Sequence, residues 1–568
     1  MDKLILLLLI STAFVVAQAK VVLPSYITDN MVVQRNSVMK ITGHASSGSK
    51  VNVIAGWDSR SREVKADSEG KFDISLDTPD AGGPYSIIIA DKDSKVKVGN
   101  VLSGELWLCS GQSNMEFPVE GWTSVMDADH VVSTARNPDI RLLQVKKRVA
   151  FSPQDDIETN MGGWVEAAPN TMDFSAIAYL YAKELRDSLK VPVGVIDATW
   201  GGTPAEAWTS YGFLKGVPGF EGELSAMESC GFDTSRLREN YEKEMGVWMK
   251  LAQKGGEEIR PGDKLTGNVL PADYFERIGF GNGFDGIVWV QKEIDVPAED
   301  AGKPMTLKLG AIDDEDVTYL NGVDFSSLPK KPASIEGSSY PTVLYNAMIH
   351  PLRNLPIKGV LWYQGCANVG RAEQYETLFK SLINNWRDTW DSEFPFYFVQ
   401  LAGWLAPHSV QPDSEWAALR NAQSKALQLP NTAMVSAIDL GNPGDIHPRD
   451  KQTVAHRLAL TALGRDYGFD TNYKAPQCIS MQKMGNKIVL KFDDDLTATS
   501  VAILGFIIGD ADGDFDQAVA RMADSRTLEL YSPLVKKPVC VRYDWADFPN
   551  GNLYSRHGIP VAPFATDK

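Results

Sequence analysis

Through the middle of the chain, short apolar runs bounded by turn residues alternate with longer amphipathic stretches. The short runs have the length and composition of buried strands and lie at 193–196, 359–363, 395–401 and 433–438. The amphipathic stretches predict helices at 176–189, 373–389 and 451–463. Strands that alternate with helices are typical of βα units, so we expect an α/β fold with a parallel sheet.

The two ends of the chain have a different pattern. Residues 20–100 and 471–568 consist of short runs in which apolar and polar residues alternate, separated by Gly, Asp and Pro turns. This pattern predicts an N-terminal β-sandwich and a C-terminal β-rich domain. The α/β pattern between them predicts one α/β domain in two parts, 101–212 and 341–470.

An insert at 213–340 interrupts the α/β pattern. It begins with a charged stretch at 237–251 that predicts a helical arm, and strand-like runs follow at 283–291 and 307–314. We expect several domains, because a chain of 568 residues exceeds what one hydrophobic core normally organises.

The first 19 residues have the composition of a secretory signal. Lys3 supplies a positive charge, residues 4–16 are mostly apolar, and Ala17-Gln18-Ala19 fits the small-residue cleavage rule. The apolar run is short for a membrane span, and we expect no span elsewhere. The sequence therefore predicts a mature protein that is periplasmic or secreted.

Composition narrows the classes of function. The net charge of −17 argues against nucleic acid as a partner, because phosphates require a basic surface. The five cysteines do not make a disulfide framework, although Cys478 and Cys540 both fall in the C-terminal β-rich region and could pair. The sequence has no spacing typical of metal ligands, so we expect no catalytic metal and no cofactor. The oligomeric state stays open.

The first segment with candidate catalytic residues is a turn that follows the apolar run at 106–108. Gly111 opens the turn, and Ser113 follows where a strand-to-helix turn presents a nucleophilic hydroxyl. Taken alone, the segment is more typical of a polar turn than of a catalytic one. Three later segments favour catalysis, since each follows a predicted strand and the carboxyl ends of parallel strands share one edge of a sheet. They are Trp200-Gly201-Gly202-Thr203-Pro204, the run at 362–368, and Asp445-Ile446-His447-Pro448.

These four segments, in this order, resemble the SGNH hydrolases and, among them, the sialate O-acetylesterase family. The matching sequence motifs are GQSNM, WGGTPAEAW, IKGVLWYQG with the Asn that follows it, and DIHPRDKQTVAHRLAL. The resemblance covers most of the chain after the signal segment. It implies a three-layer α/β/α core with a parallel sheet and, in the insert, a truncated copy of a galactose-binding-like β-domain. It also implies that O-acetylated sialic acid is the substrate.

The residues themselves supply the parts of an acyl-transfer site. Ser113 is the predicted nucleophile and His447 the base that takes its proton. His447 stands out among the seven histidines because it follows a strand, lies beside Asp445 and precedes Pro448. The predicted oxyanion donors are the Ser113 amide, a glycine amide (Gly202 in preference to Gly201) and the Asn368 side chain.

Two departures from the family pattern affect this site. Many SGNH enzymes place the acid three residues before the histidine, whereas Asp445 is two before His447 and position 444 is Gly. Asp445 either orients His447 or caps the following helix, in which case Asp439 or no residue is the third member. Cys366-Ala367 also stand where relatives often have Glu-Ser, which leaves Asn368 in place. Cys366 has no neighbouring His and is interpreted as a buried apolar residue.

The candidate substrate-binding residues are Gln112, Gln364, Arg420 and Trp208. Arg420 either holds a substrate carboxylate or is a solvated helix arginine, and Trp208, with Glu206, either shapes a sugar pocket or packs. The expected partner is an O-acetylated sugar or glycan, either sialic acid or a plant polysaccharide such as xylan, mannan or pectin. The alternatives are a carbohydrate-binding protein that has lost catalysis and a lipase or thioesterase, which would need an apolar acyl channel.

Overall fold

The structure is a computed structural model that describes residues 20–254 and 337–567, together with 319–320, 323–324 and residue 335. The chain divides into two compact units, one of Met1–Phe232 with Glu336–Lys568 and one of Asp233–Ile335. The predicted signal segment and the predicted strands at 283–291 and 307–314 lie outside the described residues.

The N-terminal region forms two antiparallel arrangements of strands. One pairs the second strand with the fifth, and the other joins the fourth, third, sixth and seventh strands in that order. The strands are β1 (Val32–Gln34), β2 (Val38–His44), β3 (Lys50–Ala55), β4 (Ser61–Lys65), β5 (Lys71–Asp77), β6 (Gly82–Ala90) and β7 (Lys95–Gly111). Buried and exposed residues alternate at the start of β2, which is typical of a sheet with one face on a core.

The long strand β7 continues from this region into the central sheet. The other strands of the central sheet are β8 (Asn137–Gln144), β9 (Val165–Ala167), β10 (Val193–Thr199), β13 (Gly359–Tyr363), β14 (Phe396–Gln400) and β15 (Thr432–Ser436). A separate hairpin in the second unit consists of β11 (Tyr319–Leu320) and β12 (Val323–Asp324).

The central sheet has the order β15-β14-β13-β7-β10-β8-β9. Its neighbours are parallel except for β9, which runs antiparallel to β8 at the edge. Strands β10, β13 and β14 are buried along their whole length, as expected for parallel strands covered on both faces. The predicted α/β fold with its parallel sheet and additional β-domains is therefore confirmed.

Helices complete the layers around the sheet. They are α1 (Ser113–Glu116), α2 (Ala128–Thr134), α3 (Ala176–Leu189), α4 (Tyr211–Leu214), α5 (Glu221–Ser229), α6 (Thr234–Lys254), α7 (Ala372–Trp390), α8 (Glu415–Ser424) and α9 (Lys451–Asp466). The helices predicted at 176–189, 373–389 and 451–463 are confirmed as α3, α7 and α9, with small extensions of the last two. The helical arm predicted at 237–251 corresponds to α6 in the second unit. Within the described ranges, no helix is long and apolar enough to cross a bilayer.

Two tryptophans show which helices cover each face of the sheet. Trp107 on β7 pairs with Gly359, so Trp362, three residues further along β13, points to the opposite face. The Trp107 ring contacts Tyr181 of α3. The Trp362 ring contacts Phe379 and Trp386 of α7. Helices α3 and α7 therefore lie on opposite faces, which gives the three-layer arrangement.

The C-terminal region is built from short antiparallel strands. They are β16 (Cys478–Met484), β17 (Lys487–Phe492), β18 (Leu496–Ala498), β19 (Phe506–Gly509), β20 (Phe515–Gln517), β21 (Val519–Asp524), β22 (Thr527–Tyr531), β23 (Cys540–Tyr543), β24 (Leu553–Ser555) and β25 (Phe564–Ala565). They surround a separate apolar core that includes Ile488, Leu530 and Val541. The disulfide considered between Cys478 and Cys540 is absent, since both thiols are free.

Candidate active site

The four predicted segments meet at the carboxyl edge of the central sheet. Ser113 follows β7, the Gly201-Gly202 turn follows β10, and Asn368 lies in a short helical turn after β13. His447 lies on the loop that leads from β15 to α9. Because these strands are parallel, their ends bring together residues that are far apart in sequence.

Ser113 and His447 are in hydrogen-bonding contact. The distance between Ser113 Oγ and His447 Nε2 is 2.9 Å. This is the contact that a serine nucleophile and its general base require. Ser113 is partly exposed, so a substrate can reach its hydroxyl.

The turn before Ser113 depends on a glycine. Gly111 has φ of +136°, and a Cβ at this position would overlap the carbonyl of Tyr363 on the neighbouring strand β13. One residue later, the Gln112 amide donates to the same Tyr363 carbonyl at 3.0 Å. The close approach of the two strand ends therefore sets the direction in which Ser113 leaves the sheet.

Asp445 lies beside His447 but does not make a tight side-chain contact with it. Asp445 Oδ1 is 3.5 Å from His447 Nδ1, and the same oxygen accepts a 2.8 Å hydrogen bond from the His447 backbone amide. The Asp445 side chain is 50% exposed. Asp439, the alternative acid, forms an ion pair with Arg457 at 2.7 Å. The geometry therefore favours Asp445 as the acid nearest the histidine and gives Asp439 a structural partner.

Burial lowers the pKa of His447 below its usual value of 6.5. Lys451 acts in the same direction, whereas the carboxylates of Asp445 and Glu116 raise the pKa. The net shift favours the neutral imidazole near neutral pH, which is the form that can accept a proton.

Sequence reasoning did not identify Lys451 as part of this site. Lys451 is 1% exposed, and its Nζ donates to Asn114 Oδ1 at 2.6 Å. Asn114 Nδ2 in turn donates to the carbonyl of Ile446 at 3.1 Å. Burial lowers the pKa of Lys451 to about 7. The chain of contacts from Lys451 through Asn114 connects α1, which begins at Ser113, to the loop that carries His447.

The Gly201-Gly202 turn is held by Glu116. The Gly201 amide donates to Glu116 Oε2 at 2.6 Å, and Lys147 Nζ contacts the other carboxylate oxygen at 2.5 Å. A Cβ on Gly201 would lie 3.3 Å from the Ser113 Cβ, so the turn passes directly beside Ser113. Because the Gly201 amide already donates to Glu116, the geometry favours Gly202 over Gly201 as the candidate oxyanion donor. Gly202 has φ of +73° and open space around it.

The Asn368 side chain has one orientation fixed by its neighbours. Its Oδ1 accepts from the Ala205 amide at 3.0 Å and from Gln364 Nε2 at 2.7 Å. Its Nδ2 donates to Glu206 Oε2 at 2.9 Å, and Arg371 holds the other oxygen of Glu206 at 2.8 Å. An amide nitrogen carries two donors, so one N–H of Asn368 is left for an oxyanion.

Gln112 and Gln364 are buried and serve the framework of the site. Gln112 Oε1 accepts from the amides of Gly365 and Ala367, at 3.0 and 3.3 Å. Gln364 Nε2 donates to the Thr203 carbonyl and to Asn368 Oδ1. The prediction that both bind substrate is corrected, because these contacts join the turns after β7, β10 and β13 to one another.

Arg420 and Trp208 are also buried in the protein. Arg420 is 0% exposed, and its guanidinium donates to carbonyls of the C-terminal domain, including that of Ala546. It is therefore neither a substrate clamp nor a solvated helix arginine. Trp208 donates to Thr203 Oγ1 and contacts the Trp362 ring edge-to-face, which makes it a packing residue.

The Cys366 thiol does not have the properties of a nucleophile. Burial raises its pKa to about 12, so it stays protonated at neutral pH. In the part of the chain that the structure describes, no group of three His, Cys, Asp or Glu side chains has the arrangement of a metal site.

Comparisons with known proteins point to carbohydrate esterases. A family model described as a carbohydrate esterase, sialic acid-specific acetylesterase, matches residues 332–463. The sialate O-acetylesterase of Mus musculus is 29% identical over 477 residues, which cover 78% of this chain and 73% of that protein. The Homo sapiens protein of the same name is 28% identical over 480 residues, covering 78% and 71%.

A solved structure extends the similarity to nearly the whole chain. The crystal structure of a carbohydrate acetylesterase from Xanthomonas citri is 30% identical and covers 96% of this chain and 100% of its own. The TM-score between the two structures is 0.71. The similarity therefore includes the β-domains as well as the α/β core.

Proposed function

Because the chain belongs to the sialate O-acetylesterase family of carbohydrate esterases, we propose that it removes O-acetyl groups from sugars through an acetyl-Ser113 intermediate. Membership of that family makes it a carboxylic ester hydrolase of the carbohydrate acetylesterase class. The observation that carries the serine mechanism is the 2.9 Å contact between Ser113 Oγ and His447 Nε2.

Acylation begins when Ser113 Oγ attacks the acetyl carbonyl and His447 Nε2 takes the hydroxyl proton. The carbonyl oxygen becomes an oxyanion, which the Ser113 and Gly202 amides and the free N–H of Asn368 stabilise. The bond between the acetyl carbon and the sugar oxygen then breaks. His447 returns the proton to that oxygen, so the sugar leaves as a free alcohol and the acetyl group stays on Ser113.

Deacylation repeats these steps with water. His447 takes a proton from a water molecule, the resulting nucleophile attacks the acetyl-Ser113 carbonyl, and the same donors stabilise the second oxyanion. Cleavage of the ester to Ser113 returns the proton to Oγ and releases acetate. In both acylation and deacylation, Asp445 stabilises the imidazolium of His447 from its position beside Nδ1.

Replacing the nucleophile tests this mechanism. We expect Ser113→Ala to lower kcat/KM for an acetylated sugar by roughly 10⁴-fold or more, since the remaining site has no group to carry the acetyl. The measurement is acetate release by the purified protein, and circular dichroism checks that the variant is folded. A variant that retains a tenth of the wild-type rate would rule out an acetyl-Ser113 intermediate.

For the substrate we propose O-acetylated sialic acid, supported by the names of the curated relatives and of the matching family. Acetate release from O-acetylated sialic acid and from acetylated xylan should be measured in parallel. We expect acetate to be released from O-acetylated sialic acid and this release to depend on Ser113. Release mainly from xylan would keep the mechanism and assign the enzyme to plant polysaccharide. Release from neither would leave an esterase for other esters and a carbohydrate-binding protein as the remaining interpretations.

We also propose that the protein is exported to the periplasm or beyond the cell. The support is the composition of residues 1–19, with Lys3, an apolar stretch and Ala17-Gln18-Ala19. The test is expression of the full chain followed by fractionation and sequencing of the mature N-terminus. We expect a mature chain that begins at Lys20, and an uncleaved cytosolic chain would contradict the proposal.

A further inference from the structure

A tryptophan that sequence reasoning did not consider lies next to the catalytic histidine. The Trp122 ring meets the imidazole of His447 edge-to-face, with 5.7 Å between the ring centroids and an angle of 79°. It meets the Phe117 ring in a similar way at 5.6 Å. Despite these two contacts, Trp122 is 60% exposed. A large aromatic surface is therefore open to solvent at the catalytic residue.

The turn that carries Trp122 is anchored at its base. Glu120 and Ser124 form an antiparallel bridge on either side of it, and the Glu120 amide donates to the Met172 carbonyl at 2.9 Å. On the other side, Arg449 Nε donates to the Ser124 carbonyl at 2.8 Å. Arg449 is two residues from His447, so the turn and the histidine loop are fixed to each other.

Exposure of a single apolar side chain is ordinary on a protein surface. Trp122 differs from the other exposed apolar side chains because it is the one tryptophan among them in the described residues. An indole also leaves a large apolar area in water when it is not covered. The turn nevertheless holds the ring against His447, which is a position suited to a ligand that covers the ring during the reaction.

The direction of proton transfer places the sugar on this side of the site. His447 Nε2 must give its proton to the sugar oxygen as the ester bond breaks, so that oxygen lies near His447. The rest of the sugar ring extends from that oxygen. The ring of Trp122 is in contact with the same imidazole, and the apolar C–H face of a pyranose is complementary to the negative face of an indole.

We propose that Trp122 is the platform against which the pyranose ring of the substrate packs while Ser113 attacks its acetyl ester. This inference rests on the proposed function and adds to it the residue that recognises the sugar. Arg449 is engaged with the backbone of the turn, so recognition by Trp122 depends on the shape of the ring and its C–H face rather than on a substrate charge.

The test compares a sugar ester with an ester that has no ring. Acetate release from O-acetylated sialic acid, acetylated xylan and ethyl acetate is measured for wild type, Trp122→Ala, Trp122→Phe and Trp57→Ala. For Trp122→Ala we expect the loss of kcat/KM on the acetylated sugar to exceed the loss on ethyl acetate by about tenfold or more. Trp122→Phe should recover most of the difference. Trp57, in the turn between β3 and β4, is the matched control and should show no such difference.

Two outcomes would overturn the proposal. Equal losses on the sugar and on ethyl acetate would mean that Trp122 acts only by holding His447. An unchanged kcat/KM on the sugar would mean that the ring is not covered by substrate.

A binding measurement separates this proposal from the proposed function. In the Ser113→Ala background, calorimetry with O-acetylated sialic acid and acetylated xylan should show binding that Trp122→Ala weakens about tenfold. If no ester gives Ser113-dependent acetate, the catalytic proposal fails, and weaker binding still supports the platform. Unchanged binding in the double variant overturns the platform whatever the catalytic result.

Discussion

At the scale of single residues, the reactivity of His447 depends on groups with opposite effects on its pKa. Burial and the ammonium of Lys451 lower the pKa, and the carboxylates of Asp445 and Glu116 raise it. The net direction is downward because burial is the largest contribution. His447 therefore keeps its neutral form to a lower pH than a histidine in water.

The first prediction concerns the acid limb of the pH profile. In the wild type, the midpoint of the fall in kcat/KM should lie below pH 6.5, because burial lowers the pKa of His447. Lys451→Met removes a positive charge, which makes the imidazolium easier to form, so the limb should move to higher pH. Lys487→Met, a surface substitution in the C-terminal domain, is the control. An acid limb at the same pH in Lys451→Met and in the wild type would contradict an effect of Lys451 on the pKa of His447.

The second prediction concerns Asp445. A tightly bonded triad acid contributes about 10⁴-fold to kcat, but Asp445 is 3.5 Å from His447 Nδ1 and half exposed. We therefore expect Asp445→Asn to lower kcat by only about tenfold. The measurement is the steady-state rate on an acetylated sugar. A loss of about 10³-fold or more would mean that the contact tightens when substrate binds.

At the scale of elements, the site is assembled from turns that are bonded to one another. The turn after β7 holds the turn after β13 through Gln112, and the short helix α1 holds the turn after β10 through Glu116. The hydrophobic pattern predicted the strands and helices well, since it reports which residues face a core. It could not predict these contacts, which depend on the directions of side chains that meet only in the fold.

The third prediction follows from the contact between Glu116 and the Gly201 amide. Glu116→Leu removes the acceptor and frees the turn that carries Gly202, so kcat should fall by about 10²-fold, the usual effect of losing one oxyanion donor. Glu116→Gln keeps an acceptor oxygen and should lose about tenfold or less. The two variants are compared by kcat on the same ester. Equal losses would assign the effect to charge rather than to the hydrogen bond.

At the scale of the whole molecule, buried polar contacts join the C-terminal domain to the α/β core. Arg420 of α8 donates to the carbonyls of Asp544, Ala546 and Asp547. Ser414, at the start of the same helix, donates to the carboxylate of Asp547. The C-terminal domain is therefore fixed to the catalytic domain by a guanidinium that the sequence suggested for substrate.

The fourth prediction distinguishes these two assignments of Arg420. Arg420→Ala should destabilise the protein by roughly 3 kcal/mol, because it leaves buried carbonyls without donors and opens a cavity. The midpoint of thermal unfolding should fall accordingly. At low temperature, the rates of acetate release from O-acetylated sialic acid and from a neutral acetyl ester should change in the same proportion. A loss confined to the anionic sugar would restore the substrate role.

The amino-acid sequence alone determined the fold class, the main helices and the family, because local hydrophobic periodicity and short motifs carry that information. It also indicated Ser113 and His447 as partners. The tertiary structure decided where the other residues near the candidate site lie. Gln112, Gln364, Trp208 and Arg420 are buried in contacts between segments, whereas Trp122 and Lys451 lie beside the histidine. Such contacts join residues as far apart as Asn114 and Ile446, 332 positions along the chain, and only packing brings their side chains together.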